Sequence, residues 1–235
     1  MLNDLDNVVS IRYSPNVSEP NTMRFSVLFT IILLAGIAPA SADSATAIFA
    51  GGCFWCMESD FEKRAGVTGV ISGFTGGALK NPTYSGNHQG HFEAVEVTYD
   101  PTIVSYQDLL DLFWVNVDPF DNKGQFCDKG FSYRSAIFPN SAEEKTLAEQ
   151  SKAKVEARFS GQHVYTEIRD GGAFWPVEEY HQDYYLKNPV RYKYYRWNCG
   201  RDQRLQQLWG SDASSLHTDQ DRLLSPALLA FHTGN

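Results

Sequence analysis

The sequence predicts a single α+β domain built around a mixed sheet. Strand-like and helix-like patterns interleave along the chain, without the regular strand–helix spacing of a doubly wound parallel sheet. The hydrophobic fraction of 43% and the aromatic fraction of 14% are typical of a well-packed globular protein. Residues 43–235 are enough to enclose one sizeable core. These observations together favour one domain over several.

Each element follows from its local pattern. Apolar or alternating runs bounded by Gly or Pro predict strands, and apolar residues spaced three or four apart predict helices. After Phe174 the chain is rich in Tyr and Lys with little periodicity, which predicts an irregular C-terminal tail. In chain order we expect strands at 46–50, 66–77, 91–101, 133–139 and 163–169, and helices from residue 53, over 105–119 and over 142–159.

The N-terminal segment has the pattern of a secretory signal peptide. Residues 23–42 contain one Arg, an apolar run over 25–38 and the small residues Ala40-Ser41-Ala42, which predict cleavage after Ala42. We therefore expect an exported, periplasmic protein with no stable membrane insertion after cleavage. If the signal is not cleaved, we expect a protein at the cytoplasmic face or anchored in the membrane. Residues 1–22 are polar and fit no part of a signal, so we interpret them as an untranslated or non-native extension. Residues 43–210 form the expected domain and 211–235 a polar tail.

The charge balance excludes two classes of partner. The net charge is −8 and no long basic run occurs, which argues against binding to nucleic acid or to anionic lipid. Function must therefore be sought in a local motif rather than in a charged surface.

The stretch "GGCFWC", residues 51–56, is that motif. Its two glycines allow a tight turn from strand to helix and leave an accessible thiol, with Cys53 near the helix tip and Cys56 one turn further in. A helix N-terminus lowers a cysteine pKa, so Cys53 is expected to be reactive. Trp55 lies off the apolar stripe of the helix, which favours a pocket or surface role.

The residues alone leave several interpretations open. The four cysteines (53, 56, 127 and 199) could form two structural disulfides in an exported protein. The pair Cys53/Cys56 could serve a thioredoxin-like disulfide carrier. A zinc site is disfavoured because no second ligand pair has the required spacing. A nucleophilic thiol beside an apolar pocket is the remaining alternative.

Several motifs together resemble the A-type peptide methionine sulfoxide reductases. They are "GCFW" (52–55), "NPTY" (81–84), "GHFEAVEVTYDP" (90–101), "CDKGFSYRSAIF" (127–138) and "EEYHQDYY" (178–185), in the order of the family. The resemblance implies a two-layer α/β sandwich on a ferredoxin-like core. It also implies thiol-dependent reduction of the S epimer of methionine sulfoxide, free or in proteins.

The resemblance also implies roles for individual residues. Cys53 would be the nucleophile, with a carboxyl and two phenols donating hydrogen bonds or a proton to the sulfoxide oxygen, since that oxygen is a poor leaving group. The implied catalytic residues are Cys53, Glu93, Tyr84 and Tyr133, and the implied substrate-binding residues are Phe54, Trp55 and Asp128. Taken singly, each has an ordinary packing or surface role as an alternative.

The chemistry requires a second thiol and an outside reductant. Attack leaves Cys53 as a sulfenic acid, which a resolving cysteine converts to a disulfide. We expect Cys199, on the C-terminal tail, to resolve, with Cys127 and Cys56 as open alternatives. No bound cofactor or metal is predicted. The expected partners are oxidised proteins or free methionine sulfoxide and a thioredoxin-like dithiol donor, and the expected oligomeric state is a monomer.

Overall fold

The computed structural model describes residue 12 and residues 43–213. The chain divides into two units, 1–40 and 41–235, and the sheet and its helices lie in the second unit. The predicted extension (1–22), the predicted signal peptide (23–42) and the predicted tail beyond residue 213 lie outside the described residues, apart from residue 12. No helix among the described residues is long and apolar enough to cross a membrane.

A six-stranded mixed sheet forms the centre of the fold. Its order is β7-β6-β1-β3-β2-β8; β7 is parallel to β6 and every other neighbouring pair is antiparallel. A separate two-stranded hairpin contains β4 and β5. The strands are β1 (Ala45–Gly51), β2 (Val67–Thr75), β3 (Phe92–Tyr99), β4 (Gly124–Gln125), β5 (Asp128–Lys129), β6 (Ser135–Phe138), β7 (Glu167–Ile168) and β8 (Trp175–Pro176).

The helices complete a ferredoxin-like core. They are α1 (Phe54–Glu62), α2 (Tyr106–Val115), α3 (Ala142–Arg158), α4 (Tyr184–Lys187), α5 (Pro189–Asn198) and α6 (Arg201–Trp209). The order β1-α1-β2-β3-α2-β6, with β6-β1-β3-β2 adjacent in the sheet, is the split βαβ arrangement of this fold. The two-layer α+β prediction is therefore confirmed.

The main core lies between the sheet and helices α1 and α2. Phe49 of β1 stacks on Phe61 of α1 at 5.0 Å and on Phe113 of α2 at 5.4 Å between ring centroids. All three rings are fully buried, and such pairs contribute about 0.5–1.5 kcal/mol each beyond the burial of their area. Packing of these rings sets where α1 begins relative to the sheet edge.

Local signals fix the helix starts. Ser105 caps α2 in a reciprocal capping box with Asp108, and Ser141 caps α3 by accepting from the backbone N–H of Glu144. Such caps contribute about 1 kcal/mol each. The predicted helices at 105–119 and 142–159 are confirmed, with α2 ending earlier, at Val115.

The predicted strand at 163–169 is mostly wrong. Only Glu167–Ile168 pair with β6. The preceding residues follow a different course because the N–H of Tyr165 donates to the carbonyl of Pro119 at 2.8 Å and the side chain of Val164 packs into the main core.

The prediction of an irregular C-terminal tail requires a correction. From Phe174 to Asp183 the chain contains only the short strand β8 and a 3₁₀ turn at Glu179–His181, but three helices follow, α4, α5 and α6. Pro189 occupies the first turn of α5, where its missing N–H costs nothing, and Gly200 at φ 70° separates α5 from α6. The pattern was missed because α5 turns aromatic and charged side chains, rather than aliphatic ones, toward the body of the protein.

Candidate active site

The tight turn before α1 places Cys53. Gly52 has φ +85°, and a Cβ on Gly51 would lie 2.4 Å from the sulfur of Met57, so both positions require glycine. Cys53 is the N-cap residue of α1, and its carbonyl accepts from the backbone N–H groups of Cys56 and Met57. The predicted position at the helix tip is confirmed. The predicted accessibility is wrong, because Cys53 is only 5% exposed beneath the C-terminal segment.

The pocket at this helix tip has a volume of about 60 Å³. It brings together every residue for which a catalytic or substrate-binding role was predicted, although these residues come from distant parts of the chain. Its lining also contains one residue that no sequence motif indicated, Tyr195. The lining residues are Cys53, Phe54, Trp55, Tyr84, Glu93, Asp128, Tyr133 and Tyr195.

Aromatic rings form one wall of the pocket. The indole of Trp55 stacks on the ring of Tyr184 at 3.7 Å, and its Nε1–H donates to Nδ1 of His181 at 3.1 Å. Phe54 is fully buried and lies 6.0 Å from the ring of Tyr84. Both rings of the "FW" pair are therefore held rigidly, and Phe54 serves the core as well as the pocket.

Glu93 presents a carboxyl group from β3. It is 1% exposed, and its Oε2 accepts a hydrogen bond from the backbone N–H of Phe54 at 3.2 Å. Its Oε1 has no hydrogen-bond partner among the described residues. Burial, only partly opposed by that N–H, raises the pKa of Glu93 to about 8. The group is therefore mostly protonated at pH 7 and has a proton to give.

Two phenols lie beside this carboxyl group. Tyr84 is held through its backbone N–H, which donates to Glu178, and Tyr133 ends the short 3₁₀ turn Phe131–Tyr133. Burial first, and the nearby Glu93 second, raise the pKa of Tyr84 to about 12 and the pKa of Tyr133 further. Both hydroxyls stay protonated near neutral pH and can act as hydrogen-bond donors.

The two thiols of α1 differ in acidity. Burial raises the pKa of Cys53 well above its usual value, which corrects the expectation that the helix N-terminus lowers it. A hydrogen bond from Cys53, opposed by burial and assisted by Arg201 and Arg196, lowers the pKa of Cys56 to about 7. The resting pair therefore holds its negative charge preferentially on Cys56.

The other two cysteines form a disulfide. Cys127 lies on the exposed turn of the β4–β5 hairpin, and Cys199 ends α5, 72 residues further along the chain. Cys53 and Cys56 are free. The structure therefore contains one disulfide, and not the pair of structural disulfides that the even cysteine count allows.

Tyr195 connects this disulfide to the pocket. Its hydroxyl donates to Oδ2 of Asp128 at 2.5 Å, and its ring meets Trp55 edge-on at 5.9 Å. A signal for it existed in the sequence, since Tyr195 precedes Cys199 by four residues, one helical turn. That signal was unusable without knowing that the segment is a helix.

Two clusters bring potential metal ligands together among the described residues. In one, Asp128 lies beside Cys127 and Cys199, whose sulfurs are bonded to each other and are not thiolate ligands. In the other, Glu58 accepts from the N–H of Asp183, while Glu62 accepts from the hydroxyl of Tyr185. These hydrogen bonds tie α1 to the C-terminal segment.

The family model for peptide methionine sulfoxide reductase matches residues 45–213. The chain belongs to this family. A peptide methionine sulfoxide reductase MsrA of Bacillus licheniformis is 49% identical over 168 residues, covering 70% of this chain and 93% of the relative. The MsrA 2 protein of Caulobacter vibrioides is 48% identical over 194 residues, covering 80% of this chain and 98% of the relative.

The fold agrees with that assignment. Methionine sulfoxide reductase A of Corynebacterium diphtheriae superposes with a TM-score of 0.56 at 33% identity, covering 63% of this chain and 76% of that one. The peptide methionine sulfoxide reductase fold and chemistry therefore belong to this chain, and the resemblance found in its motifs is confirmed. The chain is an enzyme of methionine sulfoxide reduction.

Proposed function

We propose that this reductase acts on the S epimer of methionine sulfoxide, both in oxidised proteins and as the free amino acid, with Cys53 as its nucleophile. The observation that carries the proposal is the pocket itself. One buried thiol, one carboxyl group held neutral by burial and two phenols surround about 60 Å³, a volume suited to the methyl sulfoxide end of a side chain.

In the chemical step, the sulfur of Cys53 attacks the sulfoxide sulfur while the sulfoxide oxygen is protonated. The free Oε1 of Glu93 is the proposed proton source, and the hydroxyls of Tyr84 and Tyr133 the proposed hydrogen-bond donors to that oxygen. A positioned acid of this kind contributes about 10²–10⁴-fold in rate. The products are methionine and a sulfenic acid on Cys53.

Substrate orientation follows from the asymmetry of the pocket. Phe54 and Trp55 offer an apolar wall for the terminal methyl group, and Glu93 lies where the oxygen must point. Asp128 is the proposed polar contact at the pocket rim. A chiral sulfoxide can satisfy the methyl wall and the acid together in only one configuration, which supports selectivity for one epimer.

Resolution of the sulfenic acid is assigned to Cys199. The Cys127–Cys199 disulfide supports a second exchange, in which Cys127 takes over Cys199 and returns Cys53 to its thiol form. Cys127 is exposed, so an external thioredoxin-like dithiol can reach this disulfide, and no bound cofactor is required. Burial of both Cys53 and Cys56 disfavours the alternative of a thiol–disulfide carrier for protein substrates. Cys56 stays an alternative resolving thiol.

A single turnover without external reductant tests the proposal. The pre-reduced protein is mixed with each epimer of methionine sulfoxide separately, and methionine and remaining thiols are counted per chain. We expect about one methionine or more from the S epimer only, thiols lost in pairs, and no product from Cys53→Ser. Release of methionine from the R epimer, or undiminished release by Cys53→Ser, would contradict the assignment.

Export is a separate proposal. It rests on the sequence of residues 23–42, which predicts a signal peptide removed after Ala42, leaving a reductase domain at 43–210 and a polar tail at 211–235. Such a protein would work as a periplasmic monomer and need a dithiol donor active in that compartment. N-terminal sequencing of protein recovered from the periplasm tests this. A mature chain beginning at Asp43 supports it, and one retaining residues 23–42 contradicts it.

A further inference from the structure

One carboxyl group, that of Asp128, lies beside the disulfide and has one oxygen near each sulfur. The sulfur of Cys127 is 3.7 Å from Oδ1 of Asp128, and the sulfur of Cys199 is 3.8 Å from Oδ2. Disulfide sulfurs carry no proton, so these contacts can transfer a proton only after the bond is reduced and both sulfurs become thiols. Each thiol would then have its own carboxylate oxygen as a neighbouring proton acceptor.

Tyr195 extends this contact into the pocket. Its hydroxyl donates to the same Oδ2 of Asp128 that faces Cys199, and Tyr195 lines the pocket together with Cys53. Tyr195 is fixed in place by α5, where its carbonyl accepts the N–H of Cys199 at 2.9 Å. Polar groups thus follow one another from the sulfurs of Cys127 and Cys199, through Asp128 and Tyr195, to the pocket that contains Cys53.

We propose that Asp128 and Tyr195 form a proton relay for the disulfide-forming steps, in addition to any contact that Asp128 makes with substrate. Asp128 is the base that deprotonates each resolving thiol, and Tyr195 delivers the proton to the group that leaves the sulfur of Cys53. The inference rests on the proposed function, because it takes Cys199 and Cys127 as the resolving thiols.

In the first step, Cys199 loses its proton to the carboxylate of Asp128, and the resulting thiolate attacks the sulfenic sulfur of Cys53. The S–O bond breaks and the S–S bond forms, so the sulfur of Cys199 is oxidised while that of Cys53 is reduced. Tyr195 gives its hydroxyl proton to the departing hydroxide, which leaves as water, and takes the proton held by Asp128. Carboxylate and phenol are both regenerated.

The second step uses the same groups. Cys127 passes its proton to Oδ1 of Asp128 and attacks the sulfur of Cys199 in the Cys53–Cys199 disulfide. The old S–S bond breaks as the Cys127–Cys199 bond forms, and Cys53 leaves as a thiolate. Tyr195 protonates that thiolate and recovers its proton from Asp128. The end point is the arrangement in the structure, with the exposed pair oxidised and Cys53 reduced.

The surroundings of Asp128 raise the pKa of its carboxyl group, which strengthens it as a proton acceptor. Burial raises its pKa, while the hydrogen bond from Tyr195 and the positive charges of Arg201 and Lys129 act against that rise. On the pocket side it faces Glu93, whose pKa is itself raised by Asp128, and the phenols Tyr84 and Tyr133, which stay neutral. A carboxylate with a raised pKa is a stronger proton acceptor than an exposed one.

The test separates methionine release from disulfide formation. Pre-reduced protein is mixed with saturating S sulfoxide, and three quantities are followed: methionine, free thiols, and sulfenic acid captured by a dimedone-type trap. The variants are Asp128→Asn and Tyr195→Phe. The matched control is Tyr194→Phe, since Tyr194 is 65% exposed and is adjacent to Tyr195 in α5. The series is repeated from pH 6 to about 9.5, past the usual thiol pKa near 8.5.

The saturating sulfoxide offsets loss of the proposed substrate contact of Asp128, so each variant is scored by disulfide formation relative to its own methionine release. We expect both variants to accumulate trapped sulfenic acid at pH 7, with disulfide formation on this scale slowed about 10²-fold in Asp128→Asn and about tenfold in Tyr195→Phe. The Asp128→Asn defect should disappear at high pH, where the resolving thiol ionises without a base. The Tyr195→Phe defect should persist, because the leaving group still lacks its proton. Tyr194→Phe should behave as the unchanged protein.

Two results would overturn the relay. The first is disulfide formation at the unchanged rate in both variants at pH 7. The second is an Asp128→Asn defect that is the same at every pH, which indicates a structural role only. Cys199→Ser tests separately the proposal on which the relay rests, namely that Cys199 is the resolving thiol. If that variant does not accumulate sulfenic acid, Cys199 is not the resolving thiol, whatever the relay variants show.

Discussion

The two cysteine pairs of this reductase occupy opposite environments. Cys53 and Cys56 are one turn apart at the start of α1 and are almost completely buried. Cys127 and Cys199 are 72 residues apart, and their disulfide joins the β4–β5 hairpin to the end of α5. Cys127 is exposed. The difference shows that the fold separates two needs. Sulfoxide chemistry benefits from a water-poor pocket, whereas reduction by a second protein needs access.

The C-terminal segment links the two environments. Arg196 of α5 pairs with the buried carboxylate of Asp60 on α1 at 2.8 Å, and Arg201 of α6 donates to the carbonyls of Gly51 and Asn116. These contacts clamp the segment over Cys53 and Cys56 and hold Cys199 at the corner between α5 and α6. Cys199, the proposed resolving thiol, therefore belongs to an ordered helical corner rather than to a loose tail.

Substitution of Cys53, in the buried cysteine pair, should have the largest effect on methionine release. Cys53→Ser should reduce methionine release by at least about 10³-fold, because a hydroxyl is a far weaker nucleophile. Cys56→Ser should still release methionine and still form the Cys127–Cys199 disulfide. A single-turnover assay of the two variants measures both. A loss in Cys56→Ser as large as that in Cys53→Ser would show that the two thiols work as one unit.

Glu93→Gln should have the next largest effect. Methionine release should fall about 10²–10³-fold, because an amide can donate a hydrogen bond but not a proton. In the unchanged protein the pKa of Glu93 is about 8, so its acid form is present below that pH and is lost as the pH rises through it. The rate should therefore decline on the alkaline side, and Glu93→Gln should lack that decline. The same alkaline decline in the variant would exclude Glu93 as the acid.

Cys127→Ser addresses the exposed pair. Removing a crosslink that closes a loop of this length should lower the free energy of unfolding by about 2–4 kcal/mol relative to the oxidised protein. Denaturant unfolding measures this, with the chemically reduced unchanged protein as control, since it should be destabilised by a similar amount. The first methionine should still appear at its normal rate. If Cys127→Ser slows release of the first methionine, then the exposed cysteine pair also takes part in sulfoxide reduction and not only in regeneration of Cys53.

Trp55→Phe should have the smallest effect. The phenyl ring keeps an apolar wall but loses the Nε1–H bond to His181 and part of the stacking on Tyr184. We expect KM for the sulfoxide to rise about tenfold with little change in kcat, as for loss of a small apolar contact. Steady-state kinetics with a small-molecule dithiol measures both constants. A fall in kcat with KM unchanged would place Trp55 in the chemical step instead.

The sequence predicted most of the core and the site, for physical reasons. The apolar run of β1, the strand pattern of β3 and the amphipathic pattern of α2 reflect burial in the core, which neighbouring residues encode. The turn at Gly51-Gly52 is likewise local. Motifs then identified Glu93, which the local pattern alone left as a solvent-facing strand residue.

The features missed depend on contacts between distant residues. Burial of Cys53, and therefore the raised rather than lowered pKa of its thiol, results from α5 packing over α1, which no local pattern reports. Arg196 of α5 pairs with Asp60 of α1 across 136 residues, which holds α5 and its Tyr195 over the pocket. The short length of β7 has the same kind of cause, a hydrogen bond from Tyr165 to Pro119.

Mapping the disulfides after one turnover tests the transfer of oxidation between the two cysteine pairs most directly. Fully reduced protein is given one equivalent of the S sulfoxide without reductant, quenched with an alkylating reagent, and analysed by peptide mass spectrometry. We predict a Cys127–Cys199 disulfide with Cys53 and Cys56 both alkylated. A stable Cys53–Cys56 disulfide, with Cys127 and Cys199 alkylated, would contradict the transfer of oxidation from the buried pair to the exposed one.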